Sequence, residues 1–232
     1  MADGPALSAF LGSLQLADSF FPSGLYALSY GLEAFTQAGL LKPADLEGLL
    51  ADYLRHAIGP VDGAALACAH RAATTGDLDI AAEADLRLTA VKLAREARES
   101  SQRTGGQLLK TASRVFGGDL LPAYAERVRR EALPANHAIV LGLTMAELGI
   151  AREHAVAGEL YAFASSAIGS TVRLAMIDHR FAQAVLHALK PIIAEVAHIH
   201  CNSTVQDIGS SAPLIDIMSM RHERAELRLF MS

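Results

Sequence analysis

Two histidine-containing stretches in the last third of the sequence have residue types that could bind a metal ion. His198 and Cys201 are three residues apart, so on a helix they share one face, and imidazole with thiolate suits Zn²⁺ or Ni²⁺. His187 precedes His198 by eleven residues, close to three helical turns, and could line the same face. The alternative is a helix end with a buried thiol and histidines that favour the negative C-terminal dipole. The pattern therefore allows a transient metal contact at His198 and Cys201 without requiring one.

The second stretch, HERAE at residues 222–226, falls short of the zinc-protease pattern H-E-x-x-H. Glu226 stands where the second histidine ligand belongs, so the pair of imidazoles that chelates zinc from one helix face is incomplete. The sequence also lacks a phosphate-binding G-x-x-x-x-G-K-[ST], a G-x-S-x-G nucleophile turn and a dinucleotide-binding G-x-G-x-x-G. These absences argue against an enzyme.

Composition and charge narrow the class of protein. Hydrophobic residues make up 51% of the 232 residues and aromatic residues only 6%, which is typical of closely packed helices rather than sheets. The formal net charge of −5 gives no basic surface for nucleic acid, and two cysteines fit a reducing cytoplasm. Mean hydropathy is +0.26, but the uncharged stretch 160–172 is too short to cross a bilayer. We therefore expect a cytoplasmic protein that binds neither nucleic acid nor membrane.

Helical periodicity runs through most of the chain. Segment 43–60 places apolar residues at i, i+3, i+4, i+7 and i+8, and Pro43 suits a first helical turn. Gly59 and Pro60 are predicted to end this helix and to begin the next one. No segment alternates apolar and polar residues long enough to favour a strand. The sequence predicts roughly nine or ten helices in a single all-α domain that spans residues 1–232.

The end of the chain, residues 212–232, carries more large apolar side chains than a solvated tail needs. Leu214, Ile217 and Met218 have helical spacing. They are followed by a charged run and an apolar pair: Arg221, His222, Glu223, Arg224, Arg228, Leu229 and Phe230.

Residues 14–35 have a second unusual pattern. Phe20 and Phe21 lead into Pro22 and Gly24, which indicates an apolar helix end that runs into a turn. Ser29 can cap the helix that follows. The stretch therefore predicts a helix–turn–helix corner with aromatic residues at the bend, either as a packing corner alone or as part of a functional surface.

Taken together, the two stretches resemble the UreF family of urease accessory proteins. The N-terminal match consists of Gln15-Leu16, Pro22, Gly24, Tyr26, Ser29 and Gly31-Leu32-Glu33. The C-terminal match consists of Ser211, Pro213, Met220-Arg221-His222-Glu223, Arg228-Leu229-Phe230 and Ser232. The chain departs from the family pattern at Leu25, where a second glycine is common, and at Met231, where arginine is common.

The resemblance implies an all-α protein that is not itself an enzyme and has no tightly bound cofactor. Proteins of this family pair with the accessory protein UreD, also called UreH, and recruit the GTPase UreG to apo-urease, which receives nickel. The resemblance further implies a homodimer within that complex. Residues 212–232 would then be a docking segment whose apolar side chains are covered by the partner, with the charged residues fixing its register.

The partner-binding residues that the resemblance implies all lie in the two matched stretches. They are Tyr30, Gly31, Glu33, Leu214, Ile217, Met218, Arg221, His222, Glu223, Arg228, Leu229, Phe230 and Ser232.

Three alternatives to a pure scaffold remain open from the sequence. The chain could carry nickel in transit through His198 and Cys201. It could modulate GTP hydrolysis by UreG through Glu33 or Arg221, in either direction, which single-turnover hydrolysis with and without this chain distinguishes. It could be an all-α enzyme, which measurable turnover by the isolated protein would support.

Overall fold

The computed structural model describes residues 4–18, 21–22 and 30–223, and these residues form helices and connections without a strand. The α-helices are α1 Gly4–Ala17, α2 Leu32–Gln37, α3 Leu46–Tyr53, α4 Ala64–Thr75, α5 Leu78–Val91, α6 Arg95–Val115, α7 Leu120–Glu131, α8 His137–Glu147, α9 Arg152–Arg173, α10 His179–His200 and α11 Pro213–His222. A π-helical segment, Leu54–Gly63, joins α3 to α4, and short 3-10 turns lie at Pro43–Asp45 and Val205–Asp207. The all-α prediction is confirmed.

Because α3, the π-helical segment and α4 follow one another without a break, the described residues contain ten separate helical rods. This number agrees with the nine or ten helices expected from periodicity. None of the helices in the described ranges is both long and apolar enough to cross a lipid bilayer.

The centre of the molecule is the contact between α4 and α8. Leu66 and Cys68 of α4 have no exposed surface, and neither do Ile139 and Leu143 of α8. A Cβ atom on Gly142 would lie 2.5 Å from the carbonyl oxygen of Leu66, so the glycine allows the two backbones to approach closely. Small residues on both helices allow this close approach. The longer helices α6 and α9 pack against the pair, and α10 packs against α9 and the π-helical segment.

The predicted break at Gly59-Pro60 does not occur, because the helix widens there instead of ending. Pro60 lacks an N–H group, and the π-helical turns accommodate it within a continuous rod. A Cβ atom on Gly59 would lie 2.4 Å from a methyl group of Val196, so the glycine is needed where this rod crosses α10. Pro191 is another proline inside a continuous helix, α10.

A buried carboxylate, Asp85 on α5, fixes how α7 and α8 pack against α5. Its oxygens accept hydrogen bonds from the Tyr124 hydroxyl at 2.8 Å, the Ala135 N–H at 2.7 Å and both the backbone and side-chain nitrogens of Asn136. Asp85 and Asn136 have no exposed surface, and burial raises the pKa of the Asp85 carboxyl. Three elements therefore depend on one acceptor group that is hidden from water.

We predict that Asp85→Ala lowers the free energy of unfolding by about 3–5 kcal/mol, because it leaves several buried donors without an acceptor. Urea denaturation at neutral pH measures the loss. The matched control is Asp79→Ala on the same helix, where the carboxylate is mostly exposed and pairs with Arg127. That change should cost under about 1 kcal/mol, and equal losses in the two variants would contradict the role assigned to Asp85.

Candidate partner-binding site

The N-terminal matched stretch turns sharply into α2 at Tyr30 and Gly31. Tyr30 has φ 52° and Gly31 has φ 78°, and the carbonyl oxygen of Tyr30 accepts a hydrogen bond of 2.8 Å from the Tyr53 hydroxyl. The Tyr30 ring meets Phe163 edge to face, with 4.8 Å between the ring centroids. This turn is therefore held by both the backbone and the side chain of Tyr30.

Helix α11, which contains most of the described C-terminal match, lies against α2 and α6. Pro213 at its start fits the first helical turn, where no intrahelical N–H is needed. Its inward side carries Ile215, Met218 and His222, which follow one another at helical spacing. Met218 is 1% exposed and His222 has no exposed surface.

The two matched stretches meet at the His222 side chain. Nε2 of His222 lies 2.8 Å from Oε2 of Glu33, at which distance the imidazole N–H donates to the carboxylate. Nδ1 of the same ring lies 3.7 Å from Oε2 of Glu96 on α6. Glu33 is 2% exposed, so this contact between residues 189 apart is hidden from water. His222 therefore joins α2, α6 and α11.

Glu223 extends this junction to the start of α6. Its Oε1 accepts a hydrogen bond of 2.9 Å from the backbone N–H of Glu96, and its Oε2 lies 4.0 Å from Nε of Arg95. The first N–H groups of a helix have no intrahelical partner and attract negative charge. Glu223 thus supplies from α11 the acceptor that the N-terminal turn of α6 lacks.

Gly31 lets α11 approach the turn before α2. A Cβ atom at this position would lie 3.1 Å from Oγ and 3.2 Å from N of Ser219. The same residue needs the left-handed backbone region, which favours glycine. Steric space and φ together explain why the matched stretch has glycine at this position.

The residues expected to bind a partner divide into inward and outward groups. Leu214 is 56% exposed and Ile217 is 45% exposed, and Arg221 is also exposed. Gly31, Glu33, Met218 and His222 are instead buried within this chain. Met218 is therefore not available to a partner together with Leu214 and Ile217, because its side chain is already buried within this chain. Tyr30 and Glu223 are partly buried, and the other expected residues, Arg228, Leu229, Phe230 and Ser232, lie outside the described residues.

His198 and Cys201 do not converge in the structure. The His198 side chain is 80% exposed and its Nδ1 lies 3.1 Å from Oε1 of Glu153, whereas Cys201 is buried with its thiol 3.2 Å from the carbonyl oxygen of His198. Within the ranges that the structure describes, no group of three or more histidine, cysteine or acidic side chains could hold a metal ion. A resident metal centre at these two residues has no third ligand among the described side chains.

Sequence reasoning missed an exposed apolar stripe on α1. Leu7, Phe10, Leu11 and Leu14 are each more than half exposed and recur at i, i+3, i+4 and i+7. That spacing was visible in the sequence and predicts an amphipathic helix, but it does not say whether the stripe faces the core or a partner. In the structure α1 contacts the molecule through other residues, including Gly12 against Leu148.

Comparison with known proteins decides the family. The sequence model of the UreF family matches residues 40–190, the part of the chain that lies between the two motif-bearing ends. The chain belongs to the UreF family. Because this match and the terminal motifs are separate parts of the sequence, each supports the other.

Curated relatives of this UreF-family chain match over almost its whole length. A urease accessory protein UreF from Paenarthrobacter aurescens is 31% identical over 94% of this chain and 96% of its own length. A protein of the same description from Bacillus sp. strain TB-90 is 29% identical over 97% of this chain and all of its own length. A third, from Trichodesmium erythraeum, is 28% identical over 97% of both chains.

We predict that Gly31→Ala loosens α11 whereas Gly39→Ala does not. Both glycines have positive φ, so each substitution costs about 1–2 kcal/mol of backbone strain, but only the new methyl group at residue 31 meets Ser219. Hydrogen exchange of the α11 amides should therefore accelerate in Gly31→Ala alone. Equal acceleration in both variants would show that the contact between Gly31 and Ser219 does not hold α11.

Proposed function

We propose that this chain is a non-catalytic scaffold for urease maturation. In this proposal it binds a UreD-type accessory protein, recruits the GTPase UreG to apo-urease and couples GTP hydrolysis to nickel insertion. Membership of the UreF family supports the role in urease maturation. The observation that carries the docking role is that α11 is fixed by a buried junction while Leu214 and Ile217 remain exposed.

The rigid attachment of α11 favours binding. A segment that must order itself on a partner loses conformational entropy, whereas a helix already held in place loses little. Met218 and the His222–Glu33 contact hold α11, and the side chains of Leu214 and Ile217 remain exposed on the same helix. Apolar side chains presented on a fixed helix are suitable anchors for a partner surface.

The α1 stripe is a second surface suited to a partner. Four large apolar side chains in one row exceed the single exposed hydrophobic residues that are normal on a protein surface. In the proposed assembly this stripe is also covered, either by the UreD-type partner or by the second copy in a homodimer. The docking residues Arg228, Leu229, Phe230 and Ser232 remain part of the proposal.

A direct effect on GTP hydrolysis is a second role for the same complex. Glu33 is buried against His222, so its carboxylate does not reach a nucleotide bound to another protein. Arg221 is exposed at the end of α11, and its guanidinium group suits the charge that develops on a transferring phosphoryl group. Of the two candidates, the geometry favours Arg221.

We predict that the double variant Leu214→Glu with Ile217→Glu binds the UreD-type partner at least tenfold more weakly. Two charges at the centre of an apolar interface lose the burial of the original side chains and must be desolvated. Co-purification followed by titration of the purified proteins measures the loss. These variants test docking more cleanly than removal of residues 212–232, since that deletion would also remove Met218 and His222 from the core.

The matched control is Leu86→Glu, which adds a charge at an equally exposed leucine on α5. Urea denaturation should show that all variants keep the unfolding free energy of the wild type within about 0.5 kcal/mol. Undiminished binding by the double variant would overturn the docking role of α11.

The nickel contact at His198 and Cys201 stays a prediction. If it exists, the double variant His198→Ala with Cys201→Ala activates urease less than the wild type at limiting nickel and equally well with nickel in excess. His179→Ala is the control, because it removes another exposed histidine from α10. Full activation by the double variant at limiting nickel would exclude this route.

A further inference from the structure

A cavity of about 140 Å³ lies beneath α11 and reaches towards the centre of the molecule. Ile215, Asp216 and Ser219 of α11 form one side of it, and the π-helical segment, α6 and α9 form the others. The proposed scaffold role does not involve this cavity.

Two polar side chains that line the cavity have atoms without a hydrogen-bond partner among the described residues. They are Oε2 of Glu159, a residue 8% exposed, and Nδ1 of His137, which is 5% exposed. Nε2 of His137 is 3.8 Å from Oε2 of Glu159, which is beyond hydrogen-bond distance. A buried polar group without a partner is destabilising by about 1–3 kcal/mol, so a ligand that supplies a donor to Glu159 would bind favourably.

The cavity contains more acidic groups than basic ones. Asp62, Glu159 and Asp216 line it together with a single cation, Lys92. The Lys92 ammonium lies 2.8 Å from Oδ2 of Asp62, and no lysine or arginine among the described residues forms an ion pair with Glu159 or Asp216. Neither carboxyl group therefore forms a close ion pair with a cation, and the charge of Lys92, which lowers the pKa of both, acts on them only at longer range.

The pKa values agree with this shortage of positive charge. Burial, followed by the nearby Asp62 carboxylate, raises the pKa of Glu159 to about 8. Burial lowers the pKa of His137 to about 4, so the imidazole is neutral and adds no positive charge. Burial also raises the pKa of Asp216 at the α11 side of the cavity.

The rest of the lining combines aromatic and apolar side chains with the hydroxyl groups of Ser100, Ser101, Thr104, Ser210 and Ser219. Tyr30, Tyr53 and Phe163 line the cavity, with 5.6 Å between the ring centroids of Tyr53 and Phe163. Burial raises the pKa of both tyrosines, so their hydroxyl groups stay protonated. Aromatic side chains next to a carboxylate suit organic cations, whereas Ca²⁺ requires six to eight oxygen ligands and Mg²⁺ an octahedral set.

We propose that this cavity binds a small organic cation, an alkylammonium or guanidinium group, with Glu159 as its charge partner and Asp216 at its entrance. The cation donates hydrogen bonds to Oε2 of Glu159 and rests against the aromatic wall. When it enters near neutral pH, the Glu159 proton is released to solvent, because a carboxylate beside a cation is more acidic than an isolated buried one.

The first experiment titrates the isolated full-length chain with n-propylammonium and methylguanidinium, and with their neutral analogues n-propanol and methylurea. Isothermal titration calorimetry should show saturable binding of the cations at one site and at least tenfold weaker binding of the neutral analogues. Repetition near pH 7 in buffers of different protonation enthalpy should reveal the released proton. Absence of saturable cation binding, equal binding of neutral analogues or binding without proton release would each overturn the proposal.

The second experiment removes the charge partner. Glu159→Gln should weaken cation binding at least tenfold, whereas Glu153→Gln, at an exposed position of the same helix, should leave it unchanged. Equal affinities of the wild type and Glu159→Gln would exclude Glu159. If Glu159→Gln does not fold, Asp216→Asn on the surface-facing helix α11 is measured instead. We expect this variant to bind the cation several-fold more weakly, and an unchanged affinity would contradict the entrance role of Asp216.

A third titration identifies the source of the cation. The probes are arginine and lysine blocked at both ends, N-acetylated and amidated, which stand in for side chains of a partner protein. Binding of these blocked residues assigns the cavity to a basic side chain. Binding of the free amines alone assigns it to a small metabolite-sized cation. Because all these measurements use the isolated chain, their outcome is separate from that of the scaffold proposal.

Discussion

One buried imidazole, that of His222, joins the start of α2 to the end of α11. Its ring lies between carboxylates of α2 and α6. The imidazole and Glu33 are hidden from water, and Glu96 is partly buried. Buried polar groups are stable only when their partners are in place, so the positions of α2, α6 and α11 depend on one another. The Glu223 contact with the first turn of α6 and the close approach of Ser219 to Gly31 strengthen the same junction. Without this junction, Met218 would be the one fully buried apolar side chain that holds α11 against the rest of the molecule.

The same junction determines the shape of the cavity. Ile215, Asp216 and Ser219 belong to the wall that α11 provides, so the position of α11 sets the size of the space around Glu159. The outward side of α11 and the inward cavity therefore share one element, and binding at either side would stabilise α11 in place. This arrangement allows the two sites to influence each other through the position of a single short helix.

The sequence predicted the fold class well, whereas the partner-binding role of the named site residues stays a prediction. Alanine-rich periodicity and the absence of strand alternation are local signals, and they led directly to an all-α domain. The break expected at Gly59-Pro60 was wrong, because the sequence does not show that a neighbouring helix crosses there and that the backbone can widen around a proline. The terminal motifs named Glu33 and His222, but the residue types alone could not show that these two side chains bind each other. The burial of Asp85 and Glu159 could not be predicted, because a carboxylate buried by tertiary contacts looks the same in sequence as one on the surface.

The contact between Glu33 and His222 has a consequence for how the protein is made. Ribosomes synthesise α11 after every helix that it touches. In a nascent chain that carries only α1–α10, the surface of α2 at Leu32 and Glu33 is therefore not yet covered by α11. Docking of α11 brings together residues 189 positions apart. This step is entropically costly and slow compared with formation of the individual helices. Cellular quality control would therefore encounter an unfinished surface until translation of α11 is complete. A truncated product that ends before His222 would keep that surface permanently.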